Sequence, residues 1–455
     1  MSRIVDAVTA VLICDDRILV AQRQAFLSAF PGYSAFPGGK VDAEDAEGAP
    51  LPDAWSGHDA RLMRALAREL DEEIQFDLVA AQTRGDVAEI RPLGLALTPP
   101  PAPVRFNTHF YAVVLRKQPD LKIDTNEVAA VDWATPAAWL QRYLDGALLA
   151  APPTVAVLRA LADSLDATEV PGLHFASRPP SELPLIESMH GVRQILVKSN
   201  TLPPAHHTNC FLLGDMQSHR VLVDPSPADD AEMEKLCALV QRYGIHEIFL
   251  THHHPDHRER ANQIARHFEV PMGMSEDTRL RIVALTGGHY FDGINLNTYR
   301  EGDVLCRWLG RAVHVHAVPG HDEGQLALMP EDRAWCLVGD LIQGLGTVVI
   351  SKPEGNMRKY FESLRRIIAL DPKTIYPSHG VGMGSTYRLR DTLHHRELRE
   401  KQVLALHHEG HSVDEMLGLI YPDLDPRLLP LARANIVSHY DKLHEEGVLP
   451  TVSGT

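Results

Sequence analysis

Four metal-ligand side chains fall within the seven residues Thr251–His257, THHHPDH, directly after an apolar run. Read as His252-x-His254-x-Asp256-His257, the segment offers imidazole and carboxylate donors together. That mixture suits Zn²⁺, with Fe or Mn as alternatives. One tight loop cannot complete two coordination shells, so further donors have to arrive from elsewhere. Three do, each behind a short apolar run: His321 in PGH, Asp340 in GD and His379 in PSHG. A single histidine is usually no ligand, and the chain has 25. Seven donors in this order, each at the end of a strand-like run, are poorly explained as ordinary surface residues. The chemistry such a set supports is hydrolysis of an ester, thioester, amide or phosphodiester by a metal-activated water. A second cluster, Arg68-Glu69-Leu70-Asp71-Glu72-Glu73-Ile74, puts Glu69, Glu72 and Glu73 at i, i+3 and i+4 of a helix, on one face. Their repulsion calls for cations, which suits Mg²⁺ or Mn²⁺ held with substrate phosphates. A solvated acidic helix is the plain alternative.

The elements that must hold these residues can be read from the same sequence. From about 192 onward, RQILVK, NCFLLG, RVLVDPSP, EIFLTHHHPDH, AVHVHAVPGHDEG, WCLVGD and TIYPSHG each end an apolar run in a polar cluster. A helical stretch at Asp229–Tyr243 intervenes, and strand ends feeding polar loops to one edge are how an α/β sandwich builds a site. Upstream, Ala7–Cys14 and Arg17–Ala21 flank an Asp-Asp turn and predict a hairpin. Leu62, Leu66, Leu70 and Ile74 predict an amphipathic helix, and the Pro-rich TPPPAPVRF leads into a strand at Thr108–Leu115. Asp166–Leu185, with VPG and SRPPSELP, lacks periodicity and predicts a linker. From about Leu393 the pattern is helical. Ser412-Val-Asp-Glu415 forms a capping box, and Asp425-Pro426 opens a longer helix that closes at Gly447. The outline of helix, turn, helix, turn and long helix is that of a small winged-helix unit.

With these residues quoted, two family resemblances follow. From about 190 to 390 the chain resembles the metallo-β-lactamase superfamily. The resemblance implies an αββα sandwich with His252, His254 and His321 on one metal and Asp256, His257 and His379 on a second. Asp340 would bridge the two, and Asp224 in VLVDPSP would stand behind the ligands. Asp256 and Asp340 are the catalytic carboxylates this reading implies. Secreted antibiotic-hydrolysing members usually lack the bridging Asp. RNA-processing members with a cap domain need a long insertion between the Asp340 and His379 motifs, and the interval here is short. Glyoxalase II-like thioesterases share all seven ligands. The tail, REKQVLALHHEG through LLPLARANIVSHYDKLHEEGVL, resembles the appendage of the β-lactamase-like endoribonucleases, which cut single-stranded RNA. The chain departs from that group at Arg258-Glu259-Arg260, where a Gly-Gly pair is usual, and its tail is acid-rich.

FPGGKVDAED with RELDEEI resembles the Nudix box. Gly39 and Arg68-Glu69-x-x-Glu72-Glu73 match. Asp45 replaces the first Glu, Gln75 replaces a Gly, and AEGAPLPDAWSGHDARLM interrupts the motif as in the coenzyme A diphosphatase branch. The resemblance implies an α/β/α sandwich and a Mg²⁺- or Mn²⁺-dependent diphosphate hydrolase in which Glu69, Glu72 and Glu73 are catalytic. A non-catalytic ligand sensor is the alternative.

The resulting expectation is a multidomain α/β and α+β chain. A Nudix domain would occupy residues 1–165, a linker 166–190, the metallo-β-lactamase domain 191–392 and the winged helix 393–455. The net charge is −16, from 44 Lys and Arg against 60 Asp and Glu. It favours a small-molecule substrate, such as an acyl-coenzyme A or a nucleoside diphosphate derivative, over nucleic acid, although RNA stays open. Charges at Asp6, Asp15, Asp16 and Arg17 break any signal-peptide core. No run approaches the ~18 apolar residues of a membrane span. The five scattered cysteines form no CxxC pair, and a cytoplasmic protein with no membrane partner is expected. Nothing in the sequence fixes an oligomeric state.

Overall fold

A computed structural model describes residues 3–98, 104–173 and 182–450. The chain divides into two compact units, Met1–Arg193 and Gln194–Thr455.

In the first unit the Asp15-Asp16 pair turns strand Arg3–Cys14 into Arg17–Arg23, with Ile13 opposite Ile18. Asp15 takes the left-handed backbone (φ 53) that tight hairpin turns favour. Arg3–Cys14 also runs parallel to Val104–Leu115, which pairs antiparallel with Val87–Leu97. Alternate residues of the central strand face opposite sides. Val8, Ala10 and Leu12 pack with Leu62, Leu66 and Leu70 of the helix Ala60–Ile74. Val11 and Ile13 pack with Trp139 and Leu158 of the helices Pro136–Leu144 and Pro152–Asp163. The result is the expected α/β/α sandwich. In the interrupting segment, Trp55 is buried and its indole N–H donates to Gln82 Oε1 at 3.0 Å, so the insertion is docked. Of the stretch read as a linker, residues 174–181 lie outside the described residues, as do 99–103 of the Pro-rich break. Val170 and Leu173, however, are buried in the core, and Leu185–Met189 is a strand.

The helix Ala60–Ile74 starts at Asp59, whose carboxylate accepts from the N–H groups of Arg61 and Leu62. It ends at Gln75 in the left-handed conformation (φ 50, ψ 42), its N–H reaching the carbonyls of Asp71 and Leu70. A Gly at this place in the Nudix pattern is thus explained, and Gln75 closes the helix without one. A side chain in that conformation costs about 1 kcal/mol, part of which glycine returns as unfolded-state entropy. Gln75→Gly should therefore raise the stability of this unit by up to about 1 kcal/mol in urea unfolding. A loss of stability would mean that the Gln75 side chain makes contacts worth more than its strain.

The second unit holds two sheets. One runs in the order Val192–Lys198, His207–Leu213, Val221–Val223, Glu247–Phe249, Met272–Met274, Leu296–Thr298. From Val221–Val223 onward it is parallel. The other runs Val304–Trp308, Arg311–Ala317, Leu326–Pro330, Cys336–Gly339, Thr374–Pro377, Met383–Gly384. Fully buried strands such as Val221–Val223 and Leu326–Pro330 carry no polar alternation, as expected of sheets covered on both faces. The helix Met357–Leu370 lays Tyr360, Phe361 and Leu364 against Val338 and Ile375.

The tail folds as helices Tyr387–His408, Val413–Ile420 and Leu429–Glu445 around Val403, Met416, Ile436 and Leu443. The Ser412–Glu415 capping box forms in both directions. Asp425 caps a 3₁₀ turn, Pro426–Leu428, which runs into the last helix. That helix docks within the unit: Asn435 Oδ1 accepts from Ile350 N–H at 3.0 Å, and Ser438 Oγ donates to Ile350 O.

Candidate metal centre

The donors stand just past strand ends: His252 after Glu247–Phe249, His321 after Arg311–Ala317, Asp340 directly after Gly339 and His379 after Pro377. The loop carrying His321 passes so close to the helix Met357–Leu370 that a Cβ on Gly320 (φ 138) would stand 2.3 Å from Tyr360 Cα. Only glycine fits there.

The seven donors form two sets. His254 Nδ1 lies 3.0 Å from His252 Nε2 and 3.0 Å from His321 Nε2. In the second set His379 Nε2 is 3.5 Å from Asp256 Oδ2, and His257 Nε2 is 3.9 Å from Asp256 Oδ1. Asp340 faces both. Its Oδ2 is 3.7 Å from His321 Nε2, and its Oδ1 is 3.7 Å from His257 Nε2 and 3.6 Å from His379 Nε2. His257 Nε2, His379 Nε2 and Asp340 Oδ1 are buried and meet no hydrogen-bond partner among the described residues. Buried polar atoms are normally paired, so unpaired lone pairs converging on one centre fit a pair of cations.

The outer nitrogens are all held. His321 Nδ1 bonds Val349 O and His379 Nδ1 bonds His207 O, each at 2.9 Å. His257 Nδ1 bonds Asp224 Oδ2 at 2.9 Å. Thr251 Oγ1 donates to Asp224 (2.6 Å) and accepts from His252 Nδ1 (3.0 Å). These bonds turn Nε2 inward in four rings. His254 is reversed: its Nε2 bonds Glu354 Oε2 at 2.9 Å, which leaves Nδ1 for the centre. Asp224 itself sits at φ 50, a strained backbone held by its bonds to Thr251 and His257. Burial pushes the His321 imidazole down to about 4, so the ring is neutral at neutral pH and its lone pair is available. Burial opposes ionisation of Asp340, but His379 and His257 outweigh it and hold the carboxyl far below its usual range.

Sequence reasoning missed the support behind His254. Glu354 reaches both His254 and His253, the latter at 3.1 Å, and His253 Nδ1 is 2.5 Å from Asp322. The bond to His254 pulls the Glu354 carboxyl down to about 2. Asp322 adjoins His321 and His253 stands inside THHHPDH, so adjacency was the only available signal. Glu354 had none. Where Gly-Gly is usual in relatives with such tails, Arg260 keeps the left-handed backbone (φ 60). Its guanidinium is tied to Asp230 at 2.9 Å and Ala228 O at 2.8 Å.

In the first unit Glu69 and Glu73 point inward and are buried, whereas Glu72 is exposed. Arg68 bonds Glu69 and Glu72, each at 2.9 Å, and Asp45 Oδ2 at 3.0 Å. The glycine turn meets the helix here. Gly38 N–H donates to Glu73 Oε2 at 2.9 Å, and a Cβ on Gly39 would lie 2.4 Å from Glu69 Oε2. The three carboxylates do not close into one ligand set, as the histidine donors do, among the described residues. Burial raises Glu69 to about 7 and Glu73 to about 8, and the charge of Glu127, which no motif marked, adds to both shifts.

Those shifts fix a pH dependence. Above about pH 4.5 the folded unit binds more protons than the unfolded chain. Its metal-free stability therefore falls as pH rises toward 8. A cation must displace those protons, so Mg²⁺ affinity should rise over the same window. We expect Mg²⁺ to bind at least about tenfold more tightly at about pH 8 than at about pH 6 by calorimetry. Equal affinities would show both carboxylates already ionised.

Comparison with known proteins identifies the domains that carry these residues. Residues 203–379 match the metallo-beta-lactamase superfamily, 4–147 the NUDIX domain and 412–450 the beta-lactamase associated winged helix domain. The chain is 26% identical over 267 residues to a beta-lactamase-like protein 2 homolog of Drosophila melanogaster, covering 53% of this chain and 84% of that protein. It is 30% identical over 172 residues to a hydroxyacylglutathione hydrolase of Bdellovibrio bacteriovorus, covering 37% of this chain and 61% of that protein. To an atrochrysone carboxyl ACP thioesterase of Aspergillus aculeatus it is 23% identical over 238 residues, covering 50% and 69%. A crystal structure of a beta-lactamase domain protein from Burkholderia ambifaria shares the fold. It superposes with a TM-score of 0.51 at 23% identity, covering 60% of this chain and 91% of that one.

Proposed function

We propose that this metal-dependent hydrolase, in which a NUDIX domain, a metallo-β-lactamase domain and a β-lactamase-associated winged helix follow one another, cleaves an acyl thioester at the histidine centre. The Nudix carboxylates would cleave a diphosphate-containing compound. One observation carries the thioester reading. His254, Asp256, His321 and Asp340 open on a cleft of about 980 Å³ also lined by Tyr421, Leu424, Leu428 and Leu431 of the tail. That volume suits a small molecule with an apolar part. A relative named as a thioesterase supports the same class.

Two cations bound there, zinc in our reading, supply a Lewis acid and an activated water. The chain's residues do the rest. His252, His254 and His321 hold one side, Asp256, His257 and His379 the other, and Asp340 spans them. Asp224, Thr251 and Glu354 fix which nitrogen each ring presents. The Nudix unit would use Mg²⁺ or Mn²⁺ through Glu69, Glu72 and Glu73. No helix among the described residues is long and apolar enough to cross a membrane.

The test is a parallel assay of the purified, zinc-loaded protein on acyl thioesters, nucleoside diphosphate derivatives with Mg²⁺, and single-stranded RNA. Thioester turnover lost on chelation is the expected result. RNA cleavage without thioester turnover would replace this reading with an endoribonuclease. Nucleotide binding without turnover would make the Nudix half a sensor.

A further inference from the structure

The helix Tyr387–His408 lines the same cleft with Arg388, Asp391, Thr392, His395, Arg396 and Arg399. That spacing is one face of a helix. In a chain of net charge −16, this face carries three arginines and a histidine against one carboxylate. Asp391 is shared between Arg388 Nη1 at 3.3 Å and His395 Nε2 at 3.4 Å. Arg396 is buried, bonded to Val348 O and stacked on Tyr360, and serves the fold. Arg399 has no carboxylate partner among the described residues. Its guanidinium lies 4.3 Å from the centroid of the Tyr421 ring, another cleft residue. Stacking on a ring restrains the plane of a guanidinium and leaves its edge N–H groups free, the geometry suited to bidentate phosphate recognition.

We propose that Arg388 and Arg399 form a phosphate subsite of the cleft, gripping the phosphate-bearing carrier of an acyl thioester. The acyl group then lies against Leu424, Leu428 and Leu431. This inference rests on the thioester reading and adds to it the chemical class of the carrier. The positive face matches the anionic end, and Leu428, 36% exposed, lines the cleft as an apolar contact for the acyl end.

The test places one acyl group on coenzyme A and on pantetheine, which lacks the phosphates. Both thioesters are assayed with the zinc-loaded full chain and with Arg388→Gln/Arg399→Gln. We expect the ratio of kcat/KM for the coenzyme A ester over the pantetheine ester to fall at least about tenfold in the variant, mainly through KM. Arg399→Lys should keep part of the ratio, and thermal melts check that the variants fold. An unchanged ratio overturns the subsite. If the wild type turns over neither ester, the thioester reading has failed, and calorimetry with coenzyme A decides the subsite alone. The Nudix contribution is common to wild type and variant, so weaker binding by the variant supports the subsite and equal binding overturns it. Single-stranded RNA binding that the variant loses, with coenzyme A binding unchanged, makes the arginines a nucleic-acid contact and also overturns it.

Discussion

Asp340→Asn should lower hydrolysis at the histidine centre by more than about a hundredfold in kcat while the chain still folds cooperatively in a thermal melt. The two oxygens of Asp340 face different ligand sets, with 3.7 Å to His321 on one side and 3.7 and 3.6 Å to His257 and His379 on the other. An anion in that position offsets the repulsion of two cations, and a neutral amide of the same shape does so poorly. Losing a residue that merely supports a ligand already costs about 10–100-fold in metal affinity or activity, and Asp340 is placed as a ligand itself. Zinc content should fall below two ions per chain. Unchanged turnover together with unchanged zinc would remove Asp340 from the bridging role. The melt should move down without losing its cooperative transition, because His379 and His257 favour the ionised carboxyl and Gln343 Nε2 donates to its Oδ2 at 3.3 Å.

The second large effect is expected in the Nudix unit. Replacing Glu69 and Glu73 together by Gln should abolish Mg²⁺ binding and lower diphosphate hydrolysis by more than about a hundredfold, the scale of losing metal ligands. Glu72→Gln should cost less, because Glu72 is exposed and bonded to Arg68. Gln keeps the helix propensity nearly constant, and the amide oxygen at position 73 still accepts from Gly38 N–H. The metal-free variant should be no less stable than wild type at about pH 8, since at that pH the wild type carries buried charge whose ionisation desolvation opposes, and the Gln pair removes it. Equal Mg²⁺ binding in wild type and double variant would leave the domain without a carboxylate metal site and favour the ligand-sensor alternative.

The seven donors were legible in the sequence because four share one segment behind an apolar strand and His321, Asp340 and His379 each follow another. Short-range pattern therefore carried their long-range convergence. The residues behind them were not legible. Glu354 meets His254 across about a hundred positions of chain, and only the fold creates that encounter. The glutamate helix was half legible. Spacing placed Glu69, Glu72 and Glu73 on one face, but at 3.6 residues per turn Glu72 and Glu73 flank Glu69 on opposite sides. Packing against the glycine turn buries the Glu73 flank and leaves Glu72 outside. Gln75 shows a related limit. A pattern that has Gly there reports a left-handed backbone, and Gln adopts it at modest cost. Val170 and Leu173 sit in an aperiodic, Pro- and Gly-marked stretch, yet both are buried, because single apolar residues can anchor a loop without any period.

The docking of Leu429–Glu445 onto Ile350 also sets an order of events during synthesis. Ribosomes deliver the chain N-terminus first, so His379, the last donor, emerges before Tyr421, Leu424, Leu428 and Leu431, which line the cleft. Ile350 meanwhile awaits Asn435 and Ser438. The nascent protein thus completes its set of candidate donors before it gains the tail's share of the cleft wall. On the proposed reading, a chain released early, between those two points, would carry every donor and yet lack the tail side of its cleft.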